Sequence, residues 1–147
     1  MQPDFKIKEM ISAGQKVFGE NRVQESQARW GKTFKHIRND IELRLIGPLQ
    51  SNKALDAVKL FDVIETLDRM SLAKALVRAA DKHGSLPSLL VQVNTGEEKQ
   101  KSGVGPSQLP LFLSELKKEY NMNLSIDELR QMTDQRISRR YRVEPAN

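Results

Sequence analysis

The sequence predicts an α/β fold built on a parallel sheet, and two observations carry that reading. Short apolar segments near positions 17, 43, 63, 89 and 122 alternate with amphipathic stretches of helical period. Their spacing, roughly 20–33 residues, suits right-handed βα units. The spacing fits a closed barrel and a doubly wound sheet equally. At 147 residues the chain holds room for about half of an eight-unit barrel, which takes ~200–250 residues.

Each element has a local reason. Pro3-Asp4 opens a first helix with Asp4 as its cap, Ile7, Met10 and Ile11 as its apolar stripe, and Gly14 as its stop. Val17-Phe18-Gly19 reads as a strand. Asn21 is placed to cap a second helix, with Gln24 three residues on, and Val23 and Trp30 share a face. Leu43 to Ile46 is a strand ended by Gly47-Pro48, and a helix from about Asn52 turns Ala54, Val58 and Phe61 inward. Val63 to Thr66 is the next strand. The helix from Met70 to His83 buries Leu72, Leu76, Ala79 and Ala80, and Gly84 ends it. Leu89 to Val93 is a strand, 95–106 a loop, and Ser107 starts a helix lined by Leu109, Phe112, Leu113 and Leu116. Met122 to Ile126 is the last strand candidate. Beyond it Lys and Gly vanish and Arg rises, so the reading divides the chain into 1–126 and a divergent polar tail, 127–147, helical or disordered.

Composition narrows the function. Hydrophobic residues are 38% and charged residues 29%, as in soluble globular domains. No apolar run nears the ~18 residues of a membrane span, and the start lacks the apolar core of a secretory signal, so a cytoplasmic protein is expected. Cysteine is absent, which excludes disulfides, thiolate zinc sites and cysteine nucleophiles. The net charge is +5, but Lys is interleaved with Glu and Asp and no aromatic sits in a basic cluster. That pattern argues against a nucleic-acid surface, despite Arg139-Arg140-Tyr141-Arg142. Gly31-Lys32-Thr33 ends like a phosphate-binding loop, but Ser26 stands where that motif needs glycine. His36 and His83 have no metal-ligand spacing.

Parallel α/β folds bind ligands at the C-terminal ends of their strands. Four polar clusters fall there: Glu20-Asn21-Arg22, Gln50-Ser51-Asn52-Lys53, Asp68-Arg69, and Asn94-Thr95 with the loop to Gly103. Brought to one rim, these amides, lysines and arginines suit a small anionic ligand. Each also has a plainer role, Asn21 and Asn52 as helix caps and Lys101 as a solvated lysine.

Three stretches go beyond a fold class. They are Phe18-Gly19-Glu20-Asn21-Arg22-Val23-Gln24-Glu25, Leu45-Ile46-Gly47-Pro48-Leu49-Gln50-Ser51-Asn52-Lys53, and Val91-Gln92-Val93-Asn94-Thr95 with Lys101-Ser102-Gly103-Val104. In order and spacing they resemble the pyridoxal phosphate homeostasis protein family, stand-alone relatives of the barrel domain of alanine racemase. The resemblance covers about residues 2–126. It implies a partial (β/α)₈ TIM-like barrel, pyridoxal 5′-phosphate as cofactor, and a role in vitamin B6 and amino-acid homeostasis without established turnover. It places Asn21, Asn52, Lys53 and Lys101 at the cofactor pocket. It also implies that the Schiff-base lysine lies outside this chain, one position before Met1, with the first strand. The family's phosphate-binding motifs, near its C-terminus, have no match in 127–147. The expectation is a chain truncated at both ends, non-catalytic, with weakened cofactor binding. A homodimer through exposed barrel edges, or aggregation, should follow. A racemase-like fragment is the enzymatic alternative, with Tyr120 and Tyr141 as the available tyrosines. A basic nucleic-acid-binding fragment is the other.

Overall fold

The computed structural model of the chain describes residues 2–96, 102–124 and 138–145. Helix α1 (Asp4–Ser12) leads to strand β1 (Val17–Glu20), and α2 (Val23–Ala28) runs into a π-helical turn at Arg29–Thr33. A 3₁₀ segment, Lys35–Asp40, precedes β2 (Glu42–Leu45). A 3₁₀ turn at Ser51–Lys53 opens α3 (Ala54–Leu60), followed by β3 (Val63–Leu67), α4 (Met70–His83) and β4 (Ser88–Asn94). After a 3₁₀ turn at Pro106–Gln108 come α5 (Leu109–Tyr120), β5 (Met122–Leu124) and β6 (Ser138–Pro145).

The described strands form one sheet in the order β1-β2-β3-β4-β6-β5. The first four lie side by side, parallel and in sequence order, as the strand–helix spacing predicted. The fifth strand departs from that series. The expected parallel place beside β4 is taken by β6, which pairs antiparallel with β4 (Leu89 opposite Val143) and with β5 (Leu124 opposite Val143). The tail expected to be helical or disordered therefore contributes a strand over 138–145. Residues 125–137 lie outside the described residues.

One face of the sheet carries the core. Phe18, Leu43, Leu45, Ile64, Leu89, Val91 and Val143 pack with Leu72, Leu76, Phe112 and Leu116 of the helices. The parallel strands with their connecting helices α3 and α4 packed on this side are the arrangement from which barrels are built. Leu45 is on the helix side and fully buried. Trp30 is fully buried with ring centroids 5.1 Å from Phe18 and 5.5 Å from Phe34, a geometry that adds to area burial. Met10, placed in the apolar stripe of α1, is exposed, and Ile7 is the residue of that helix which is buried. Helix α4 has its expected bounds and ends at Gly84, whose φ of +102° only glycine adopts freely.

The opposite face is mixed, with Val63 and Leu90 buried on it beside a polar cluster. Arg44 donates to Glu65 across β2 and β3 at 2.9 Å and lies 3.5 Å from Glu42. At the N-terminal ends of the strands, Asp62 accepts from the Leu43 amide at 2.8 Å and pairs with Arg38 at 2.9 Å. Arg38 also donates to the Leu60 carbonyl. These contacts close the end of the sheet away from the rim.

Candidate functional site

The C-terminal ends of β1 to β4 form a rim of four loops, and specific contacts join each loop to the next. The first two meet through backbone. The Ile46 amide donates to the Glu20 carbonyl at 2.8 Å, and Gly47 passes so close to Asn21 that no side chain fits between them. The loop after β2 is held by Arg69, whose Nη2 donates to the Leu49 carbonyl at 2.7 Å. Arg69 Nη1 donates to Asp68 Oδ1 at 2.8 Å. The other carboxylate oxygen, Asp68 Oδ2, accepts from the Gly103 amide at 3.2 Å, which brings in the loop after β4. That loop returns along β4, with Asn94 N donating to the Val104 carbonyl at 2.9 Å and Val104 N to that of Gln92 at 2.8 Å.

Three of the expected site residues stand on this rim. Asn21 follows β1 directly, and Asn52 and Lys53 occupy the 3₁₀ turn before α3. All three are exposed. Among the described residues none of their side chains makes a hydrogen bond or ion pair. Neither asparagine caps a helix: Arg22 is the N-cap residue of α2 and Lys53 that of α3, and neither cap has a side-chain hydrogen bond. The capping-box role expected of Asn21 and Gln24 is therefore not realised. The helix starts one residue later, at Val23. Lys101 lies outside the described residues, two positions before Gly103.

Beneath Asn21 is a buried charge network that the sequence reading missed. Glu20 and Arg29 are each 5% exposed and pair at 2.8 Å. Trp30 Nε1 donates to the same Glu20 oxygen at 2.9 Å. Arg29 Nε donates to Asp4 at 2.8 Å, and Arg29 Nη2 donates to the Gln2 carbonyl. Burial pulls the Arg29 pKa down, but the hydrogen bonds and charges of Asp4 and Glu20 outweigh it and raise the guanidinium above its ordinary value. One signal for this pair was present in the sequence: Glu20 shares the inward register of Phe18, and a carboxylate at an inward position needs a cation.

A cavity of about 650 Å³ opens beside this network, lined by Gln2, Gly19, Asn21, Arg22 and Glu25 together with the buried pair. Of the expected site residues it takes in Asn21. Asn52 and Lys53 stand on the open rim. Two further cavities lie toward the N-terminal ends of the strands: one of about 490 Å³ beside Arg38, Asp62 and His83, and one of about 660 Å³ between α4 and α5. Gly31-Lys32-Thr33 forms the π-helical turn that seats Trp30, a structural duty. Among the described residues no cluster of His, Asp and Glu could hold a metal ion, and no helix is long and apolar enough to cross a membrane.

The family model described as alanine racemase, N-terminal domain, matches residues 5–129. The chain is 37% identical over 107 residues to a pyridoxal phosphate homeostasis protein of Aquifex aeolicus, covering 73% of this chain and 46% of that protein. It is 39% identical over 110 residues to the protein of that name from Vibrio cholerae, covering 74% and 46%. Among solved structures it is similar to PipY of Synechococcus elongatus without pyridoxal phosphate, with a TM-score of 0.71 and 39% identity over 80% of this chain and 54% of that one. PipY with pyridoxal phosphate bound gives a TM-score of 0.67 and 37% identity, covering 80% and 53%. The chain thus spans about half the length of the relatives it matches.

Proposed function

Because the chain belongs to the alanine racemase N-terminal domain family, we propose that it is a non-catalytic pyridoxal 5′-phosphate-binding protein of the homeostasis type, acting in the cytoplasm. The observation that carries the reading is the set of uncommitted donors on the strand-end rim. Asn21, Asn52 and Lys53 are exposed there and make no side-chain hydrogen bond or ion pair among the described residues, while the loops around them are tied to one another. Two amides and an ammonium match the chemistry of a phosphate ester on a polar ring. Bound, the cofactor supplies an electrophilic aldehyde and an electron-withdrawing pyridine. Lys53, with Lys101, would meet its charge, and Asn21 and Asn52 would orient the ring by hydrogen bonds.

The binding is weak and reversible in this proposal. β1 and β5 are free edges of the described sheet, so the rim approaches a ligand from one side, whereas tight small-molecule sites enclose ~70–90% of the ligand surface. Racemisation needs a second acid/base group at the substrate, and Tyr120 is in the last turn of α5, away from the rim.

Equilibrium dialysis of the 147-residue chain against pyridoxal 5′-phosphate tests the reading. The expected result is saturable uptake with a Kd above about 10 μM and no racemisation of L-alanine. Absence of uptake at ~1 mM ligand, or measurable turnover, would overturn it.

A further inference from the structure

The acidic and basic residues that follow β3 have a geometry that exposed surface charges lack. Asp68 is only 16% exposed, and it spends both carboxylate oxygens on different loops. One faces Arg69 Nη1 and the other faces the Gly103 amide. Arg69 in turn spends its second terminal nitrogen on the Leu49 carbonyl. Leu49 is itself buried and sits just before the turn that carries Asn52 and Lys53. Gly103 is fixed from its other side: its φ is +120°, and a Cβ there would lie 2.8 Å from the Asn94 amide nitrogen. The chain Leu49–Arg69–Asp68–Gly103 therefore spans three loops with side-chain hydrogen bonds made to backbone.

We propose that Asp68 and Arg69 are a positioning pair: the carboxylate, anchored on Gly103, aims the guanidinium at Leu49 and so sets where Asn52 and Lys53 stand on the rim. This rests on the reading of the rim as a pyridoxal phosphate site, and it assigns the pair no contact with the cofactor. Both hydrogen bonds of Asp68 are made by an ionised acceptor, the stronger class. A guanidinium can hold a carboxylate and a carbonyl at once through its planar fork, which a point-charge ammonium does poorly. Removing either member frees the same turn, so the two losses should not add.

The test uses the whole chain and three variants, Asp68→Asn, Arg69→Met and the double substitution. Wild type and variants are titrated with pyridoxal 5′-phosphate, melted, and followed by amide hydrogen exchange at Lys53 and Gly103. Each single variant should weaken uptake about 10-fold, the worth of one charge-assisted hydrogen bond. The double variant should match the singles. Exchange at Lys53 and Gly103 should quicken while amides within β2 and β3 stay protected and the melting temperature holds. Equal affinity in wild type and Asp68→Asn, or losses that add in the double variant, would overturn the positioning role alone. A loss of protection spread through β2 and β3 would also overturn it, showing general destabilisation. A wild-type chain that takes up no cofactor would overturn the site reading, and with it the pair's role toward the cofactor.

Discussion

Gly47 lies against the carbonyl of Asn21, so that a Cβ on residue 47 would stand 2.1 Å from that oxygen. The contact follows from the pairing of β1 with β2, where the Ile46 amide donates to Glu20 at 2.8 Å as the strands end. The obstacle is backbone, so a rotamer change cannot relieve it. Gly47→Ala should therefore pry apart the first two rim loops and cost about 3 kcal/mol, the upper range for overpacking. A urea denaturation midpoint checks this, and a variant as stable as wild type would show that the loop yields freely.

The Glu20–Arg29 pair leads to a second prediction. Both side chains are buried, and Glu20 accepts from Arg29 and Trp30 together. Glu20→Gln leaves the buried guanidinium with Asp4 as its remaining carboxylate partner, which should cost about 1.5–3 kcal/mol, the scale of one hydrogen bond to a charged group. Combining Glu20→Gln with Arg29→Met, which keeps an acceptor for Trp30 Nε1, should recover part of that loss, since paired burial of charge is a weak source of net stability. Chemical denaturation of the single and double variants reads the difference.

Linkage gives that pair a pH signature. A folded-state pKa raised above the unfolded value contributes stability that is complete below the unfolded value and is lost only as pH rises through the folded one. Arg29 is raised from a range that is already strongly basic. Its contribution should therefore stay constant between about pH 6 and pH 9. The stability difference between Glu20→Gln and the double variant Glu20→Gln with Arg29→Met, in which no buried carboxylate is left without its cation, should be the same at both ends of that interval.

The parallel series was legible because it is local. Each strand is followed by its own helix, and stops such as Gly84 mark boundaries by conformation alone. The place of β6 was not legible, because its pairing joins Val143 to Leu89, a distant contact that no local period encodes. A polar run such as Ser138-Arg139-Arg140-Tyr141-Arg142 gives little strand signal until β4 and β5 leave a slot for it. The rim was legible as four clusters of polar residues. The ties between them were not, because they run from side chain to backbone, and a carbonyl such as that of Leu49 has no sequence signature. Asn21 and Asn52 show the opposite failure: cap-forming residues in cap-like places, left exposed because other residues begin the helices.

Lys53 is exposed and makes no ion pair among the described residues, so its loss should not affect folding. Lys53→Gln should weaken uptake of pyridoxal 5′-phosphate by about 3-fold at low salt, the scale of one surface charge contact. The difference should shrink at high ionic strength, where screening shortens the reach of the charge. Borohydride reduction of the loaded chain, followed by peptide mapping, should show no stoichiometric labelling of a single lysine. Complete labelling of Lys53 would mean that it bonds the cofactor covalently.

The sheet edge at β1 sets the last expectation. β1 pairs with β2 on one side and is an edge of the described sheet on the other. Val17 is 44% exposed there, and Gly19 beside it carries no side chain to obstruct an incoming strand. Natural edges are guarded by charge, proline or bulges, and the four residues of this strand hold one charged side chain, Glu20, turned inward to Arg29. Such an edge should recruit a second copy, giving a dimer at moderate concentration and aggregates above it. Static light scattering across a concentration series measures this. Val17→Lys should restore a monomer without lowering the melting temperature, because position 17 lies outside the packed core. A wild-type chain that stays strictly monomeric up to ~1 mM would show that the edge is protected in solution by residues beyond those described.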